Sequence, residues 1–319
     1  MMAMNKRICI MLLAVLAAAG CGQKKAERFT ALPFPDITLP SMIQSQKDAA
    51  EYYAEHFWDN LTDPERVYPS DSLLVSGVRK EDVEQRFANW VSILDMVDLK
   101  TSEKAIKTLY EKALACEKKD TSSNVFETFE AFADKYMYDP NSPMRNEEYY
   151  LHYALRLASY PGFSSQEQAK YAHRAEGCAL NRLGQKAADF RFADKAGKIR
   201  TLYGIDAPYT LLFFSNPGCE ACLNIINMLK EEQKVSAMIS DGTLAVLNIY
   251  IDEDLQGWRD YMPIYPETWY NGFDPDLVIR GDGLYSVRAI PSLYLLDKEK
   301  RVILKDAPEN KMMSCLVNL

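Results

Sequence analysis

Histidine, basic charge and long apolar runs are all scarce in this chain of 319 residues. Histidine occurs only at positions 56, 152 and 173, which leaves little material for histidine-based catalysis or metal sites. The 37 Lys and Arg residues are outnumbered by 45 Asp and Glu residues, giving a net charge of −8, and no local run of basic residues compensates. The sequence therefore lacks the electrostatic footprint of a nucleic-acid-binding protein.

After its first 20 residues, the chain has no stretch of the ~18 apolar residues that a transmembrane helix requires. Its composition is that of a folded globular protein, with 48% apolar and 26% charged residues. Disordered, collagen-like and disulfide-rich miniature proteins are excluded on this basis. The length allows about two domains.

Residues 1–20 are typical of a secretory signal rather than of a folded element. Lys6 and Arg7 are followed by a run of 13 apolar or small residues that ends at Gly20. As a helix this run would be ~20 Å long, which is short of the ~30 Å hydrocarbon core of a membrane. We therefore expect residues 1–20 to be a signal peptide.

The end of this segment reads Leu-Ala-Ala-Ala-Gly and is followed by Cys21; it resembles the lipobox of bacterial lipoproteins. The resemblance implies cleavage before Cys21, lipidation of Cys21, and a membrane-anchored lipoprotein of the bacterial cell envelope that faces the periplasm. An ordinary signal peptide that is cut nearby is the alternative. Export places the remaining cysteines where disulfides can persist.

The composition of the chain after residue 20 distinguishes a short proline-containing segment, 21–40, from a longer segment, 41–183. Residues 21–40 predict a tether, because three prolines between positions 33 and 40 favour extended backbone. Residues 41–183 predict an all-α domain, because apolar residues recur there at helical spacing, as in 82–97. Ser164 with Glu167 forms a capping-box pattern that predicts the start of the last helix, and Gly184 suits its C-terminal cap.

Residues 184–319 predict an α/β domain. The apolar runs 209–215 and 244–251 are typical of buried parallel strands. Residues 293–296 and 302–304 flank a polar turn and predict a hairpin. Helical patterns lie between the strands, and this alternation indicates a sheet covered by helices.

The pattern that carries chemistry is Cys-Glu-Ala-Cys at positions 219–222, between a predicted strand and a predicted helix. Residues i and i+3 share a face of a helix, so the sulfurs of Cys219 and Cys222 can approach bonding distance. Free backbone N–H groups and the helix dipole lower the pKa of a cysteine at such a first position from ~8.5 to ~3.5–7.5. Because the thiolate is the attacking species in disulfide exchange, we predict Cys219 as the nucleophile and Cys222 as the resolving thiol.

Metal binding is the main alternative use of this cysteine pair. A structural zinc site needs two further ligands, whereas Cys315 stands alone and no histidine follows position 173. A pair of thiolates also suits Cu(I). We expect no metal and no separate cofactor, because the redox-active disulfide Cys219–Cys222 would itself carry the electrons.

Two stretches, residues 184–222 and 287–297, carry a family resemblance. The first contains Gly184–Phe190 and Asp194–Lys198 ahead of the apolar strand and the CxxC pair, and the second reads Val-Arg-Ala-Ile-Pro-Ser-Leu-Tyr-Leu-Leu-Asp. Together they resemble the TlpA/ResA-like thiol-disulfide oxidoreductases, which are thioredoxin-fold proteins of the bacterial envelope. The resemblance implies a thioredoxin-like fold for residues 184–319 and a cis peptide bond before Pro291. It also implies that Pro291 lies against the CxxC pair and that the Ile290 backbone pairs with the main chain of a protein substrate.

The sequence departs from this family at positions near the cysteines. Gly218 replaces the tryptophan that is usual before the first cysteine, and Phe213 stands where many thioredoxins have a buried acid. Proton transfer would then use another group or water. Glu220 is a candidate, and its alternative role is a solvated acid at a helix start. A carboxylate there also disfavours the Cys219 thiolate, so we treat Gly218 and Glu220 as modulating residues.

These observations predict an envelope-anchored thiol-disulfide oxidoreductase that exchanges disulfides with protein substrates. The resemblance favours the reducing direction, which requires an upstream electron donor. The alternative is a redox-inactive binding or scaffold lipoprotein with a thioredoxin fold, or a thiolate metal carrier. The all-α region resembles an uncharacterised domain that precedes thioredoxin-like domains in some bacterial lipoproteins, and we expect it to position the redox domain or to bind a partner.

Two further expectations concern aromatic and cysteine side chains. The aromatic-rich segment 258–285 predicts either a substrate-docking rim or, preferentially, packing contacts. Cys116 and Cys178, both on predicted helices, either pair with each other or remain buried free thiols.

Overall fold

A computed structural model describes residues 30–66, 68 and 72–319 of the chain. The predicted signal peptide, Cys21 and the first part of the predicted tether lie outside the described residues. Over the part of the chain that is described, no helix is both long enough and apolar enough to span a membrane.

The first half of the described chain is helical, as predicted. Its helices are α1 (Gln46–His56), α2 (Lys80–Leu94), α3 (Leu99–Lys119), α4 (Val125–Ala133), α5 (Glu147–Leu157) and α6 (Ser165–Ala179). A two-stranded ribbon, β1 (Leu74–Val75) and β2 (Val78–Arg79), precedes α2. A π-helical turn, Asp134–Tyr138, continues α4.

Helix α2 shows why this part of the sequence folds as helices. Its buried residues are Val83, Phe87, Trp90, Val91 and Leu94, which lie three or four positions apart and therefore on one face. The indole N–H of Trp90 donates to the backbone oxygen of Ala54 in α1 at 2.9 Å. The predicted apolar stripe is thus confirmed, and it packs into a hydrophobic cluster that the helices share.

Helix α6 begins as predicted and ends five residues before the predicted cap, Gly184. That prediction is wrong: the backbone is already extended at Leu180, and the Lys305 ammonium donates to the backbone oxygens of Cys178, at the end of the helix, and of Leu180, just after it. Gly184 has a φ of +73°, but its N–H donates to the oxygen of Val302 at 2.8 Å. Gly184 therefore belongs to the segment that connects α6 to the sheet, and not to the end of the helix.

A mixed sheet forms the centre of this second half. Its strands are β3 (Arg191–Asp194), β4 (Ile199–Thr201), β5 (Tyr209–Phe214), β6 (Leu244–Tyr250), β7 (Tyr270–Phe273), β8 (Ser292–Leu296) and β9 (Val302–Leu304). The strand order is β4-β3-β7-β6-β5-β8-β9. Strands β5, β6 and β7 run parallel, whereas β8 is antiparallel to β5 and to β9. The predicted parallel strands and the predicted hairpin are confirmed.

Helices cover this sheet. They are α7 (Glu220–Glu231), α8 (Gln233–Ser240), α9 (Leu255–Tyr261), α10 (Val278–Gly281) and α11 (Glu309–Asn318).

Strand β5 is buried on both faces, which explains its continuous apolar sequence. Leu211 and Phe213 belong to a hydrophobic cluster that includes Ile225 of α7. Leu212 and Phe214 point to the other face and join a second cluster. The carboxyl end of β5 therefore lies between well-packed layers, and the chain leaves it directly into the loop before α7.

Residues 31–319 group into one unit. The helical half and the sheet nevertheless have separate hydrophobic clusters. The boundary between residues 183 and 184 stays a prediction.

Candidate active site

The two cysteines predicted to carry the chemistry lie together at the N-terminus of α7. They form a disulfide with a Cα–Cα distance of 5.2 Å. Cys219 is the N-cap residue, and its Sγ accepts the backbone N–H of Cys222 at 3.1 Å. This N–H is one of the donors that the first turn of a helix leaves unpaired, so the structure provides a donor for negative charge on Cys219.

The two sulfur-bearing residues differ in exposure. Cys219 is half-buried, whereas Cys222 is only 2% exposed and belongs to the hydrophobic cluster beneath α7. Solvent therefore reaches Cys219, whereas Cys222 is almost fully shielded from it.

Gly218 adopts a conformation that other residues rarely take. Its φ is +71°, and a Cβ added there would meet no heavy atom within 4 Å. Space is available for a larger side chain, so backbone conformation is what favours glycine at this position.

Phe213, the second departure from the family pattern, and Glu220, the candidate for proton transfer, differ in burial. Phe213 is fully buried and offers no group that can accept a proton. Glu220 is the first residue of α7 and is exposed to solvent. Of these two side chains, only Glu220 carries a titratable group near the cysteines.

Pro291 lies at the same edge of the sheet as the cysteine loop. Phe214, the last residue of β5, pairs with Ser292, the first residue of β8. The residue before Ser292 is therefore level with the start of the loop that leads to Cys219. The Ile290–Pro291 peptide bond is cis, as the resemblance implies, and both residues are half-buried.

A polar chain behind Cys219 was not anticipated from the sequence. The N–H of Cys219 donates to the backbone oxygen of Asn216 at 3.3 Å. The Asn216 amide in turn donates to Asp252 Oδ2 at 2.6 Å, and Asp252 Oδ1 accepts from Arg280 at 2.5 Å. Asp252 follows β6 by two residues, so the general rule that polar residues after parallel strands meet at one edge was the available signal.

Among the described residues, the cysteines outside this pair are not bonded to one another. Cys116 and Cys178 are buried free thiols, and Cys315 is a half-buried free thiol, so the alternative of a Cys116–Cys178 pair is wrong. Burial raises the pKa of Cys116 to about 11 and that of Cys178 further. Within residues 30–66, 68 and 72–319, no group of three or more His, Cys, Asp or Glu side chains is placed to hold a metal ion.

The aromatic-rich segment 258–285 serves mainly as packing. Trp258, Tyr265, Trp269 and Tyr285 are all buried. Two of them, Tyr265 and Trp269, also border a cavity of about 580 Å³ that Arg200 lines from the β3–β4 hairpin.

The sheet order, the helix that begins at a cysteine pair and the adjacent proline segment define a thioredoxin-like protein. A thioredoxin-like protein from Bacteroides caccae is 36% identical to this chain, and the match covers 91% of this chain and 99% of that structure with a TM-score of 0.78. The family model described as a domain of unknown function (DUF5106) matches residues 19–181. The chain belongs to the DUF5106 family.

Other solved structures match less than half of the chain. The C-terminal domain of an uncharacterized protein from Bacteroides fragilis is 45% identical over 43% of this chain and 98% of that one, with a TM-score of 0.42. A domain of a possible thiol-disulfide isomerase from Cytophaga hutchinsonii is 26% identical over 44% of this chain and 94% of that one, with a TM-score of 0.37. The search of curated proteins found no match.

Proposed function

We propose that this protein is a thiol-disulfide oxidoreductase of the bacterial envelope, similar to the TlpA/ResA-like enzymes, that reduces disulfides in protein substrates. The observation that carries the proposal is the asymmetry of the cysteine pair. Cys219 is half-buried at the N-cap of α7 with a backbone N–H on its sulfur, and Cys222 is buried behind it. Such an arrangement suits one thiol for attack from solvent and the other for resolution.

The reaction begins with both cysteines reduced. The Cys219 thiolate attacks one sulfur of the substrate disulfide, a mixed disulfide forms, and the other substrate sulfur leaves as a thiolate. Cys222 loses its proton and attacks Cys219 Sγ, which restores the Cys219–Cys222 disulfide and releases the second substrate thiolate. Two electrons pass to the substrate, and a dithiol donor must return them before the next cycle.

The protons in this cycle need an acceptor and a donor. Phe213 supplies neither. We assign this role to water or to Glu220, which is exposed at the first turn of α7.

The substrate is expected to lie beside Pro291, with its main chain paired to the Ile290 backbone. The register that places Pro291 level with the cysteine loop supports this position. Lipidation of Cys21 would anchor the protein to a membrane and leave the redox site facing the periplasm.

The first test is a redox titration of a chain that begins at Gly22, in glutathione buffers, with thiol trapping as the readout. We expect a reversible two-electron transition of Cys219 and Cys222. A potential near ~−270 mV would mark a reductant, and one near ~−120 to −180 mV an oxidant or isomerase. If no intramolecular disulfide forms across the range, the scaffold or metal-carrier function replaces this proposal.

A second test traps the intermediate. The Cys222→Ser variant should accumulate a covalent complex with a disulfide-containing substrate, because the resolving thiol is missing. The Cys315→Ser variant is the matched control and should accumulate none. Recovery of no complex from Cys222→Ser, under conditions in which the wild-type protein turns over, would contradict the mechanism.

A further inference from the structure

A cluster of five charged side chains lies buried where the helical half meets the sheet. Its members, here called the buried ion cluster, are Arg145, Glu147, Arg288, Lys305 and Asp306. None of these side chains is more than 12% exposed. Arg145 and Glu147 come from the helical half, at the start of α5, and the other three come from the sheet half.

Arg288 is the central cation of the cluster, and it lies three residues before Pro291. Its Nε donates to Glu147 Oε1 at 2.9 Å, and its Nη2 donates to Asp306 Oδ2 at 2.9 Å. Its Nη1 donates to the backbone oxygen of Tyr138, whose ring lies 4.3 Å from the guanidinium carbon. The helical half therefore holds Arg288 through a carboxylate, a carbonyl and an aromatic face.

Asp306 connects the cluster to the other side of Pro291. Its Oδ2 binds Arg288, and its Oδ1 accepts the hydroxyl of Ser292 at 2.7 Å. Its backbone oxygen accepts from Arg145 Nε at 2.9 Å. Asp306 thus joins the residues on both flanks of Pro291 through its carboxylate, and its backbone oxygen connects them to the helical half.

Glu147 binds two cations of the sheet half at once. Its Oε2 forms an ion pair with Lys305 Nζ at 2.9 Å, while its Oε1 holds Arg288. The neighbouring Glu148 is equally buried but binds elsewhere. Its carboxylate accepts from Arg182 at 2.7 Å and from the N–H of Leu183 at 2.9 Å.

Burying ionised groups costs much of the attraction that pairing them returns, so net stability alone is a weak explanation for this cluster. This one contacts both ends of the segment 288–292, through Arg288 and through Ser292. We propose that the helical half acts through the buried ion cluster as a positioning element for this segment, with Glu147, Arg288 and Asp306 as positioning residues that fix the surface on which the substrate main chain docks. The docking role rests on the function proposed above.

The decisive comparison is between Glu147→Gln and Glu148→Gln. Both substitutions remove one buried carboxylate charge from adjacent residues of α5, but only the first removes a partner of Arg288. Hydrogen exchange of the oxidised protein, followed by mass spectrometry, reports on residues 286–296 without requiring activity. We expect Glu147→Gln to speed exchange there by at least about tenfold, and Glu148→Gln to change it by less than about twofold.

Kinetics provide the second readout. The reduced protein is assayed with glutathione disulfide and with a disulfide-containing peptide. Glu147→Gln should raise the KM for the peptide by about tenfold with kcat nearly unchanged, because a displaced docking surface weakens binding and not sulfur chemistry. The rate with glutathione disulfide should stay within about twofold.

Loss of a buried charge can prevent folding, so a milder pair of variants accompanies the first. Ser292→Ala removes the hydrogen bond to Asp306 and no charge. Ser142→Ala removes a hydrogen bond of the same 2.7 Å length, to Tyr136, within the helical half. We expect Ser292→Ala, but not Ser142→Ala, to speed exchange in 286–296 and to raise the KM for the peptide.

The outcomes separate this inference from the proposed function. The positioning role would be overturned if Glu147→Gln and Glu148→Gln had equal effects on hydrogen exchange in residues 286–296. If the glutamate variants do not fold, equal effects of Ser292→Ala and Ser142→Ala on that exchange would overturn it instead. Equal slowing with the peptide and with glutathione disulfide would also overturn it. If the wild-type protein reacts with neither disulfide, the proposed function fails, and hydrogen exchange still decides whether the helical half positions the segment.

Discussion

Replacing Gly218 with alanine tests whether backbone conformation explains the glycine before the first cysteine. A residue with a Cβ pays about 1–2 kcal/mol for the left-handed region that a φ of +71° requires. Alanine recovers about 0.4–1 kcal/mol because it has less freedom than glycine to lose on folding. No heavy atom lies within 4 Å of the added Cβ, so there is no steric contribution. The net expectation is a loss of about 1 kcal/mol in the free energy of unfolding.

Gly197→Ala is the matched control for this prediction. Gly197 has a φ of +79° and equally open space around its Cβ, and it lies in the β3–β4 turn. Urea denaturation of the oxidised proteins should show the same loss of about 1 kcal/mol for both variants. A Gly218→Ala protein as stable as wild type would refute the reasoning. A loss of stability in Gly197→Ala that is absent from Gly218→Ala would also refute it.

The Gly218→Ala substitution can also be tested through the redox potential of the Cys219–Cys222 pair. If the conformation at Gly218 is the same in both redox states, its strain cancels from the equilibrium between them. The potential of Gly218→Ala should then stay within ~10 mV of wild type, whereas strain confined to one state would move it by ~20 mV, since 30 mV corresponds to ~1.4 kcal/mol. A shift of the larger size would show that the loop rearranges on reduction.

Four other predictions follow from local contacts and from burial. Ser164→Ala removes the cap of α6 and should cost about 1 kcal/mol in the free energy of unfolding, measured by urea denaturation; an unchanged midpoint would contradict the capping assignment. Asp252→Ala removes the acceptor of the Asn216 amide and should slow disulfide exchange at Cys219, whereas Asp276→Ala, which breaks an exposed ion pair 3.4 Å long, should leave the rate unchanged. The Cys116 thiol, whose pKa is raised to about 11 by burial, should resist alkylation in the native protein at pH 8 and react after denaturation. Because this thiol ionises more readily when unfolded, stability should fall as pH rises from the ordinary thiol value, 9.0, towards 11; rising stability over that range would contradict the assignment.

The sequence was most informative where one local pattern suffices. The stripe of Val83, Phe87 and Trp90 predicts α2 because residues on one helix face repeat at a fixed spacing. The uninterrupted apolar run of β5 predicts a strand buried on both faces. Cys219 and Cys222 were recognisable because their spacing matters only in the setting of a strand, a turn and a helix start.

The end of α6 was not predictable in this way. Gly184 has the chemistry of a helix cap, and its positive φ agrees with that expectation. The helix nevertheless stops at Ala179, and Lys305, more than 120 residues later in the chain, binds the carbonyl oxygens of Cys178 and Leu180. A partner at that sequence distance leaves no local signal.

The buried ion cluster likewise joins residues that are far apart in the sequence and leaves no local signal. Its position bears on the role of the helical half. Glu147 in the first turn of a helix is typical of a solvated acid that complements the helix dipole, and Arg288 beside a strand is typical of a surface residue. Only the packing of α5 against the sheet turns both into buried partners. The residues on either side of Pro291 thus depend on a contact that a CxxC motif does not reveal. A chain truncated to the sheet half would retain Cys219 and Cys222 but leave Arg288 without its carboxylate from α5. If the helical half were only a spacer, such a truncation would preserve peptide binding; if it positions the segment, reactivity with small disulfides would survive while peptide binding weakens.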